Sequence, residues 1–529
     1  MIYSKFFYNV DESFETDYGR LTGCCFLNER KTTLEQLGLY MHQCIRMGEF
    51  NKIGLCTNGF FSGIYFKEDE VIAIVDRVRS YPLFYSSYEN DLYFSDNPKW
   101  IKNQLTSVEW DDKAENEFLL TGYVTGNNTL YHEIKQIQAG ELIYINKGNF
   151  YNYRYHIIPY KSRNNDIQVW NEEHQKMLIT IFNRMVSTFE HSTFVIPLSG
   201  GYDSRLIALL LKKVGASKII SFTYGNKDDI EVQLSRGVAD ALGIDWHHIE
   251  YTPQDYKIML ESNEYKEYVQ YAARLSSLPH IQDWIAVKKL KEKGIVTKGS
   301  VFVPGHLGDV LTGECSDIKP YMYHKDTTIK KGASAIVDYL YTSRLLTKKE
   351  INEYINHVSQ EMELYCNESI NGTILYELWW ARERTSKFIV NSVRIYEFFG
   401  FKWWLPFCDE IFWEFWSKVP NSLKIDQKLY SMTIIELMNE LMGATIPRDI
   451  DLDTQRNTIK HKIVAKLGNN QKHFIQFIRN KGKRGYIFNE NINYYDKIIF
   501  EKTKDFLENK IIYPGNYLSA LYYIKCLIN

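Results

Sequence analysis

The stretch from Val195 to Ser204 combines the groups that could hold a phosphate. An apolar run ends in Ser-Gly-Gly at positions 199–201, and Asp203 and Ser204 then open a second apolar segment. This order predicts a strand, a tight glycine turn and a helix start, which direct backbone N–H groups and a helix dipole at one point. The loop has neither the Gly-Lys-Ser/Thr ending of a Walker loop nor the Gly-x-Gly-x-x-Gly spacing of a dinucleotide site. The alternative is an ordinary strand–helix turn with a capping Asp.

A second glycine-rich loop could add an acidic group to the same site. Residues 301–309 read Val-Phe-Val-Pro-Gly-His-Leu-Gly-Asp, so an apolar strand pattern ends in a loop that carries Gly308 and Asp309. The alternative for Asp309 is a turn acid after a strand.

The elements around these loops alternate between strand and helix patterns. Strands are predicted at 193–198, 218–223 and 247–251, and helices at 170–189, 204–214 and 229–242. This alternation predicts a parallel sheet with right-handed crossovers, and a ligand belongs at the carboxyl ends of such strands. After about residue 330 the pattern is mostly helical.

The first 160 residues have a different pattern. Short apolar runs separated by turn signals predict a β-rich domain, with helices at 33–47 and 114–120. The polar stretch 161–166 is the predicted linker. We therefore expect two domains, at 1–160 and 168–529, which agrees with a chain of 529 residues being too long for one core.

Composition excludes several classes of function. The net charge of −2 gives no general attraction to nucleic acid or to anionic membranes. No apolar run is long enough to span a membrane, and the first residues do not resemble a secretory signal. The eight cysteines include no Cys-x-x-Cys pair, which favours reduced thiols and a cytoplasmic location. The oligomeric state is open, with a homodimer as one option.

Three segments in order resemble one family. The Ser-Gly-Gly-x-Asp-Ser loop at 199–204 resembles the pyrophosphate loop of N-type ATP pyrophosphatases. With residues 301–309 and the Leu-Pro-Phe-Cys-Asp segment at 405–409, it resembles the synthetase domain of the asparagine synthetase family.

The N-terminal half is similar to the glutaminase domain of that family. Residues 58–63 (Asn-Gly-Phe-Phe-Ser-Gly) look like its Asp-Gly-x-Phe-Ala strand, and residues 76–85 look like its Asp-Arg-x-Gly-x-x-Pro-Leu-Tyr-Tyr segment. Residues 120–140 look like the segment that closes that domain. The resemblance implies an α/β protein: an N-terminal Ntn-hydrolase-like β-sandwich of α+β type, and a parallel-sheet domain like the adenine nucleotide α-hydrolases with a helical C-terminal extension.

One departure concerns the glutaminase nucleophile. The family uses Cys at position 2, whereas this chain has Ile2. An N-terminal nucleophile needs a thiol or hydroxyl together with the freed amine on one residue. Cys24 and Cys25 could take that part only after removal of a propeptide, and their surroundings read better as an inner strand. The N-terminal domain is therefore predicted to lack glutaminase activity, as in the β-lactam synthetases, which this chain resembles in that respect.

The resemblance implies an ATP- and Mg²⁺-dependent ligase. A carboxylate attacks the α-phosphorus of ATP, pyrophosphate leaves, and ammonia or an amine displaces AMP from the acyl-adenylate. Asp203 and Asp309 would hold Mg²⁺. The predicted nucleotide contacts are Leu198, Ser199, Gly200, Gly201, Asp203, Ser204, Thr223, Tyr224 and Gly308, with adenine against the ends of the first two strands.

The catalytic residues implied by the resemblance are less sharply placed. Glu397 is the candidate for the family's catalytic Glu, and the alternative is a buried helix acid paired with Arg394. Lys460 and Lys462 are the candidates for a Lys that steadies the charge of the adenylate.

The substrate and the nitrogen donor are not encoded in a motif. The His-Leu-Gly-Asp variant at 306–309 and the 397–409 spacing look most like asparagine-synthetase-related proteins of bacterial surface-polysaccharide clusters, which favours a sugar uronic acid as the carboxylate. The donor would be ammonia, an amine, or ammonia from a separate glutaminase. The two rival interpretations are an intramolecular cyclase, which closes a β-lactam or macrolactam, and a non-catalytic nucleotide-binding scaffold.

Overall fold

The computed structural model describes residues 4–7, 13–16, 19–89, 91–155, 163, 166–313, 326–341, 346–365, 369–444, 446, 494–503 and 515–528. The N-terminal half contains eleven strands and four helices among these residues. The strands are β1 (Ser4–Phe7), β2 (Ser13–Thr16), β3 (Gly19–Leu27), β4 (Arg30–Lys31), β5 (Thr57–Lys67), β6 (Glu70–Val75), β7 (Phe84–Tyr88), β8 (Asp91–Ser95), β9 (Lys135–Gln136), β10 (Glu141–Asn146) and β11 (Asn149–Arg154). The helices are α1 (Leu34–Met47), α2 (Phe50–Cys56), α3 (Pro98–Gln104) and α4 (Asp112–Thr121).

These strands form two stacked sheets, which confirms the predicted sandwich. One sheet has the order β11-β10-β6-β5-β3-β2, with β4 paired to β3, and the other has the order β1-β8-β7-β9. Alternation along β6 explains the layers: Val71 and Ala73 pack in the core shared with the second sheet, while Ile72 and Ile74 pack in the core shared with α1.

A five-stranded parallel sheet lies at the centre of the C-terminal half, as predicted. Its order is β14-β13-β12-β15-β18, and every pairing in it is parallel. The strands are β12 (Thr193–Pro197), β13 (Lys218–Gly225), β14 (Asp245–Glu250), β15 (Val301–Phe302) and β18 (Lys402–Trp403); β16 (Asp326–Thr328) and β17 (Ser369–Asn371) form a separate pair.

Helices cover this sheet and form the C-terminal extension. Three of them follow the strand–helix alternation read from the sequence, and α6 begins two residues earlier than predicted because Gly201 is already in an extended capping conformation. The helices are α5 (Ile167–Thr188), α6 (Tyr202–Lys213), α7 (Ile230–Leu242), α8 (Pro253–Glu261), α9 (Asn263–Ala273), α10 (Trp284–Glu292), α11 (Gly308–Thr312), α12 (Ile329–Leu340), α13 (Lys348–Glu363), α14 (Gly372–Trp379), α15 (Arg394–Phe398), α16 (Glu410–Lys418), α17 (Asn421–Lys424), α18 (Lys428–Met442), α19 (Tyr494–Thr503) and α20 (Gly515–Tyr522).

Shorter helical turns connect several of these helices. Residues 380–389 and 523–528 form π-helical turns, and 3₁₀ turns cover 390–393, 406–408 and 425–427. Among the described residues, no helix is both long enough and apolar enough to cross a bilayer.

Backbone hydrogen bonds join the two halves. The Val124 amide donates to the Ser276 carbonyl at 2.9 Å, and the Leu278 amide donates to the Gly122 carbonyl at 2.7 Å. The Leu130 amide donates to the carbonyl of Leu275 at 3.0 Å. The segment after α4 therefore pairs like an extra strand with the loop that follows α9.

Candidate active site

The two glycine-rich loops meet at the carboxyl ends of β12 and β15. The Asp309 amide donates to Asp203 Oδ2 at 3.2 Å. A Cβ added at Gly308 would lie 2.6 Å from Asp203 Cγ, and one added at Gly305 would lie 2.7 Å from Asp203 Cβ. Both positions therefore favour glycine, because the carboxylate of Asp203 packs on Gly308 while its Cβ and backbone pack on Gly305.

Hydroxyl groups shape the first loop from within. Ser204 Oγ accepts the Ser199 amide at 3.0 Å and lies 3.0 Å from Ser199 Oγ, which in turn accepts the Gly201 amide at 3.2 Å. Gly201 caps α6 without a side-chain hydrogen bond. The first turn of α6, whose N–H groups have no acceptor within the helix, therefore faces the pocket as an anion-binding end.

A buried arginine fixes the outer side of this loop. Arg205 is fully buried and donates to the Gly200 carbonyl at 2.7 Å and to the Ile446 carbonyl at 2.6 Å. The Gly200 amide points towards Glu231 Oε1 at 3.4 Å. These contacts fix the orientation of the Gly200 peptide groups within the turn.

A cavity of about 300 Å³ lies between the loops. Tyr430, on α18, donates to Asp203 Oδ1 at 2.6 Å and so orients the carboxylate beside this space. The lining residues come from both loops and from the loop before α10: Pro197, Ser199, Gly201, Tyr202, Asp203, Ser204, Tyr224, His280, Gln282, Asp283, Pro304, Gly305, His306, Asp309 and Gln427.

An ionised acid, Asp283, and a neutral imidazole, His306, also line the cavity. Burial alone would raise the pKa of Asp283, but hydrogen bonds from His280, Tyr396 and Tyr224 outweigh it and lower that pKa. Burial lowers the pKa of His306 to about 4, so its ring is neutral near pH 7. His306 Nε2 lies 2.6 Å from Ser392 Oγ.

The predicted adenine contacts divide into two groups. Tyr224 lines the cavity, whereas Leu198 and Thr223 do not. Thr223 Oγ1 donates to the Leu198 carbonyl at 2.7 Å and accepts the Trp246 indole N–H at 3.1 Å. Thr223 thus ties the ends of β12 and β13 together and positions the loop.

Glu397 lies outside the residues that line the cavity. Its Oε2 accepts from Arg394 and, at 2.8 Å, from Tyr271 OH, and its Oε1 accepts from Trp403 Nε1 at 2.8 Å. These contacts favour the alternative of a buried acid paired with Arg394, and its catalytic role stays a prediction. Lys460 and Lys462 lie outside the described residues.

The 405–409 segment contacts the N-terminal half instead of the cavity. Asp409 accepts from Asn58 Nδ2 at 3.0 Å and from Arg184 Nη1 at 2.6 Å. Arg77 donates to Asn58 Oδ1 at 3.2 Å and pairs with Glu410 at 2.5 Å. Three segments that the family resemblance singled out therefore converge in one polar network between the halves.

The thiols considered as a substitute nucleophile are poorly suited to that chemistry. Cys24 and Cys25 lie on β3, which is an inner strand as predicted. Burial raises the pKa of Cys24, and burial followed by the charge of Cys24 raises that of Cys25 further. A reactive cysteine needs the opposite shift. Ile2 itself lies outside the described residues.

The donor set fits Mg²⁺ as far as the chain can supply it. Asp203 and Asp309 both line the cavity beside the Ser199 and Ser204 hydroxyls. Mg²⁺ sites that act on nucleotides commonly use one or two carboxylates, with phosphate and water completing the shell. No cluster of three or more potential metal ligands occurs in the part of the chain that the structure describes.

Sequence reasoning missed several residues that shape this site. Arg205 directly follows the loop motif, and Gly305 and His306 lie inside the second glycine-rich segment. Their proximity to these motifs could have identified them as site residues. Tyr430 and Asp283 carry no local signal, because they reach the site from distant helices.

Solved structures similar to this chain include two synthetases and an amidotransferase. The NH3-dependent NAD synthetase from Campylobacter jejuni is 18% identical, with 28% of this chain and 60% of that chain covered and a TM-score of 0.20. The chain thus spans less than two thirds of that enzyme. NMN synthetase from Francisella tularensis is 14% identical, with 40% and 78% covered and a TM-score of 0.20. Glutamine PRPP amidotransferase from B. subtilis is 11% identical, with 55% and 56% covered and a TM-score of 0.16. No curated protein matches the chain.

Two family models match in the order that the motifs predict. The asparagine synthase model matches residues 180–439, which contain both loops of the cavity. The glutamine amidotransferase domain model matches residues 40–156, within the sandwich. The chain belongs to the asparagine synthetase family.

Proposed function

We propose that the chain joins ammonia or an amine to a carboxylate that it first activates with ATP as an acyl-adenylate, with release of pyrophosphate and then AMP. Family membership makes the chain an ATP-dependent ligase. The observation that supports the finer proposal is the junction of the two loops, where Asp203 packs on Gly308 and accepts the amide of Asp309 beside a cavity.

Different residues of the cavity would bind the leaving pyrophosphate and its Mg²⁺. The hydroxyls of Ser199 and Ser204 and the N-terminus of α6 would bind pyrophosphate oxygens, since preorganised donors stabilise charge that grows in the transition state. Asp203, oriented by Tyr430, and Asp309 would hold Mg²⁺, which when bound neutralises charge on the phosphates. Arg205 keeps the glycine turn in the shape that this binding needs.

The nitrogen donor proposed here is ammonia or an amine from outside the chain. Thiols whose pKa is raised by burial, such as those of Cys24 and Cys25, are weak nucleophiles at neutral pH. A separate glutaminase could deliver the ammonia.

The acid proposed is a sugar uronic acid. Gln282 and the neutral imidazole of His306 line the cavity. Uncharged donors and acceptors of this kind suit a ligand rich in hydroxyl groups.

Exchange of labelled pyrophosphate into ATP tests the activation step. We expect exchange only when a uronic acid is present, and we expect Asp203→Asn to abolish it. Asp240→Asn, on the exposed face of α7, is the matched control and should retain full exchange.

Three outcomes discriminate among the rivals. Exchange without any uronic acid, but with another carboxylate, would reject the proposed substrate and keep the reaction class. A product that has lost water, without uptake of a nitrogen donor, would identify a cyclase. Unchanged cellular product in Asp203→Ala would favour the scaffold.

A further inference from the structure

Three arginines lie buried where the two halves meet. Arg79 follows β6, Arg274 follows α9, and Arg394 begins α15; their exposed fractions are 2%, 6% and 0%. Burial, followed by the charges of Arg274 and Arg394, lowers the pKa of Arg79 to about 9. Contacts place the three side chains together: Arg394 donates to the carbonyl of Ser80, the residue after Arg79, and Tyr271 bonds both to Glu397, the partner of Arg394, and to Arg274.

The chain neutralises only one of these charges directly. Arg394 pairs with Glu397, but neither Arg79 nor Arg274 makes an ion pair within the described part of the chain. Arg79 donates from Nε to the Ile137 carbonyl at 3.0 Å, and that bond supplies no charge. Arg79 and Arg274 lie over the rings of Phe84 and Tyr271, 5.2 and 5.0 Å from the ring centroids. A buried charge without a counter-charge is costly, and these two have aromatic neighbours but no carboxylate partner in the described part of the chain.

Glu383 and Asp76 are the two acids whose charges act on the pKa of Arg79, and both bind other groups. Glu383 Oε2 pairs with Lys387 Nζ at 2.6 Å. Asp76 accepts the amides of Phe61 at 3.0 Å and Val78 at 2.8 Å, and it also accepts from the Ser80 amide and hydroxyl. Neither carboxylate is directed at an arginine.

Each of the three guanidinium groups also has a buried N–H nitrogen with no hydrogen-bond acceptor. These atoms are Arg79 Nη2, Arg274 Nη1 and Arg394 Nε. Buried donors in folded proteins are almost always satisfied, so orphaned donors on clustered cations point to an absent anionic acceptor.

Backbone strain marks the same site. Arg79 has a φ of 52° and Arg274 a φ of 45°, a left-handed conformation that bulky residues rarely adopt. The Asp-Arg-x-Gly motif that residues 76–79 resemble has glycine where this chain has Arg79. Strain retained beside unpaired charge suggests a role for the side chain.

We propose that Arg79, Arg274 and Arg394 form a binding site for a small dianion, either a phosphate ester or a dicarboxylate, in the interface between the halves. Guanidinium groups bind both through paired N–H···O bonds, and two negative charges match the two unpaired positive ones. This site does not depend on the proposed ligase reaction.

The arginine site is separate from the nucleotide cavity but adjoins it. None of the three arginines lines that cavity. Residues on either side of Arg394 do contact its wall: Ser392 lies 2.6 Å from His306, and Tyr396 donates to Asp283 at 2.7 Å. A ligand bound to Arg394 could therefore shift His306 and Asp283, two residues that line the cavity, through Ser392 and Tyr396.

Thermal unfolding of the full chain tests the proposal with succinate and inorganic phosphate as probes, against sodium chloride at equal ionic strength. We expect saturating probe to raise the Tm by on the order of 3 °C. The probe with the larger part of its shift lost in the Arg79 variants identifies the class of ligand. Arg79→Gly and Arg79→Met should lose that shift, whereas Arg236→Ala, an exposed arginine on α7, should keep it.

The unliganded Tm supplies the second readout. Because Arg79→Gly removes an unpaired buried charge and relieves a left-handed φ, its Tm without probe should not fall, whereas removal of a purely structural arginine would lower it. Phosphate can also bind the Ser199–Ser204 loop, and that part of its shift would persist in the variant.

Equal shifts in wild type and both Arg79 variants with both probes, or no shift beyond chloride in wild type, would overturn the proposal. If neither variant folds, calorimetric titration of the wild type with succinate and phosphate, with and without saturating pyrophosphate, decides the question.

Discussion

The cavity between the two glycine-rich loops and the domain interface are both built from segments that resemble family motifs, yet their polar groups have different surroundings. Around the cavity, Ser199, Ser204 and Asp203 bond to neighbouring groups and also line a space that a ligand can enter. In the interface, Asn58 and Asp409 bind one another. A motif residue can therefore serve a ligand or a partner domain, and its hydrogen-bond partners decide which.

The comparison also separates function from stability. Removal of an interface carboxylate should leave a buried cation without its partner and should destabilise the chain. A change in the cavity should instead leave the fold intact and alter catalysis.

The largest effect should come from the interface. Asp409→Ala leaves Arg184 with only its exposed partner Glu29 and should lower the free energy of unfolding by about 3 kcal/mol, because breaking a buried pair strands a charge. Urea unfolding measures this. Asp240→Ala, which breaks an exposed pair with Arg236, should cost less than about 1 kcal/mol. Equal costs would remove the distinction between the two regions.

A change in the cavity should act on rate alone. Gly308→Ala places a Cβ 2.6 Å from Asp203 Cγ and should displace that carboxylate. We expect pyrophosphate exchange to fall by about 100-fold in kcat/KM, the scale of a small misplacement of a reacting group, with an unchanged Tm. Gly237→Ala, where the nearest atom is 3.7 Å away, is the control. Full activity in Gly308→Ala would show that the contact between the loops is not needed.

The interface should also give stability a dependence on pH. His357 Nε2 lies 3.5 Å from Glu117 Oε1 across the two halves. Burial alone would lower the pKa of His357, but the charge and hydrogen bond of Glu117 raise it from 6.5 to about 9. Since the folded state holds this proton more tightly, the stabilisation is full below pH 6.5 and is lost as pH rises through about 9.

His357→Gln checks this effect. The Tm of the variant should fall less than that of wild type between about pH 6 and about pH 10. His132→Gln, whose ring is half exposed beside Asp111, should follow the wild-type profile. Identical profiles for wild type and His357→Gln would mean that the pair does not stabilise the interface.

The smallest effect should come from the half-buried thiol of β3. Cys24→Ser should leave product formation unchanged with either glutamine or ammonia as the nitrogen source. Lys31→Ala, which removes the cation whose charge lowers the pKa of this thiol, should also leave product formation unchanged. A selective loss of glutamine-supported product in Cys24→Ser would reveal glutaminase chemistry in the sandwich.

The sequence predicts the sheets and both loops because their signals are local. Apolar alternation along β6 and the glycine turn at 199–201 each lie within a few residues. Tyr430 is 227 residues from Asp203, the carboxylate it orients, and no local pattern encodes that contact. Glu397 shows the reverse case, since its partner Arg394 is three residues away and the pairing was foreseeable. The domain boundaries and the catalytic roles stay predictions.

The strand-like pairing of residues 122–130 with residues 275–278 has a consequence for the sandwich itself. The loop so held runs directly into His280, Gln282 and Asp283, which form one wall of the cavity. The N-terminal half therefore helps to position this wall of the cavity. Even a sandwich with no reaction of its own would support the cavity, and a C-terminal half produced alone would lack these hydrogen bonds.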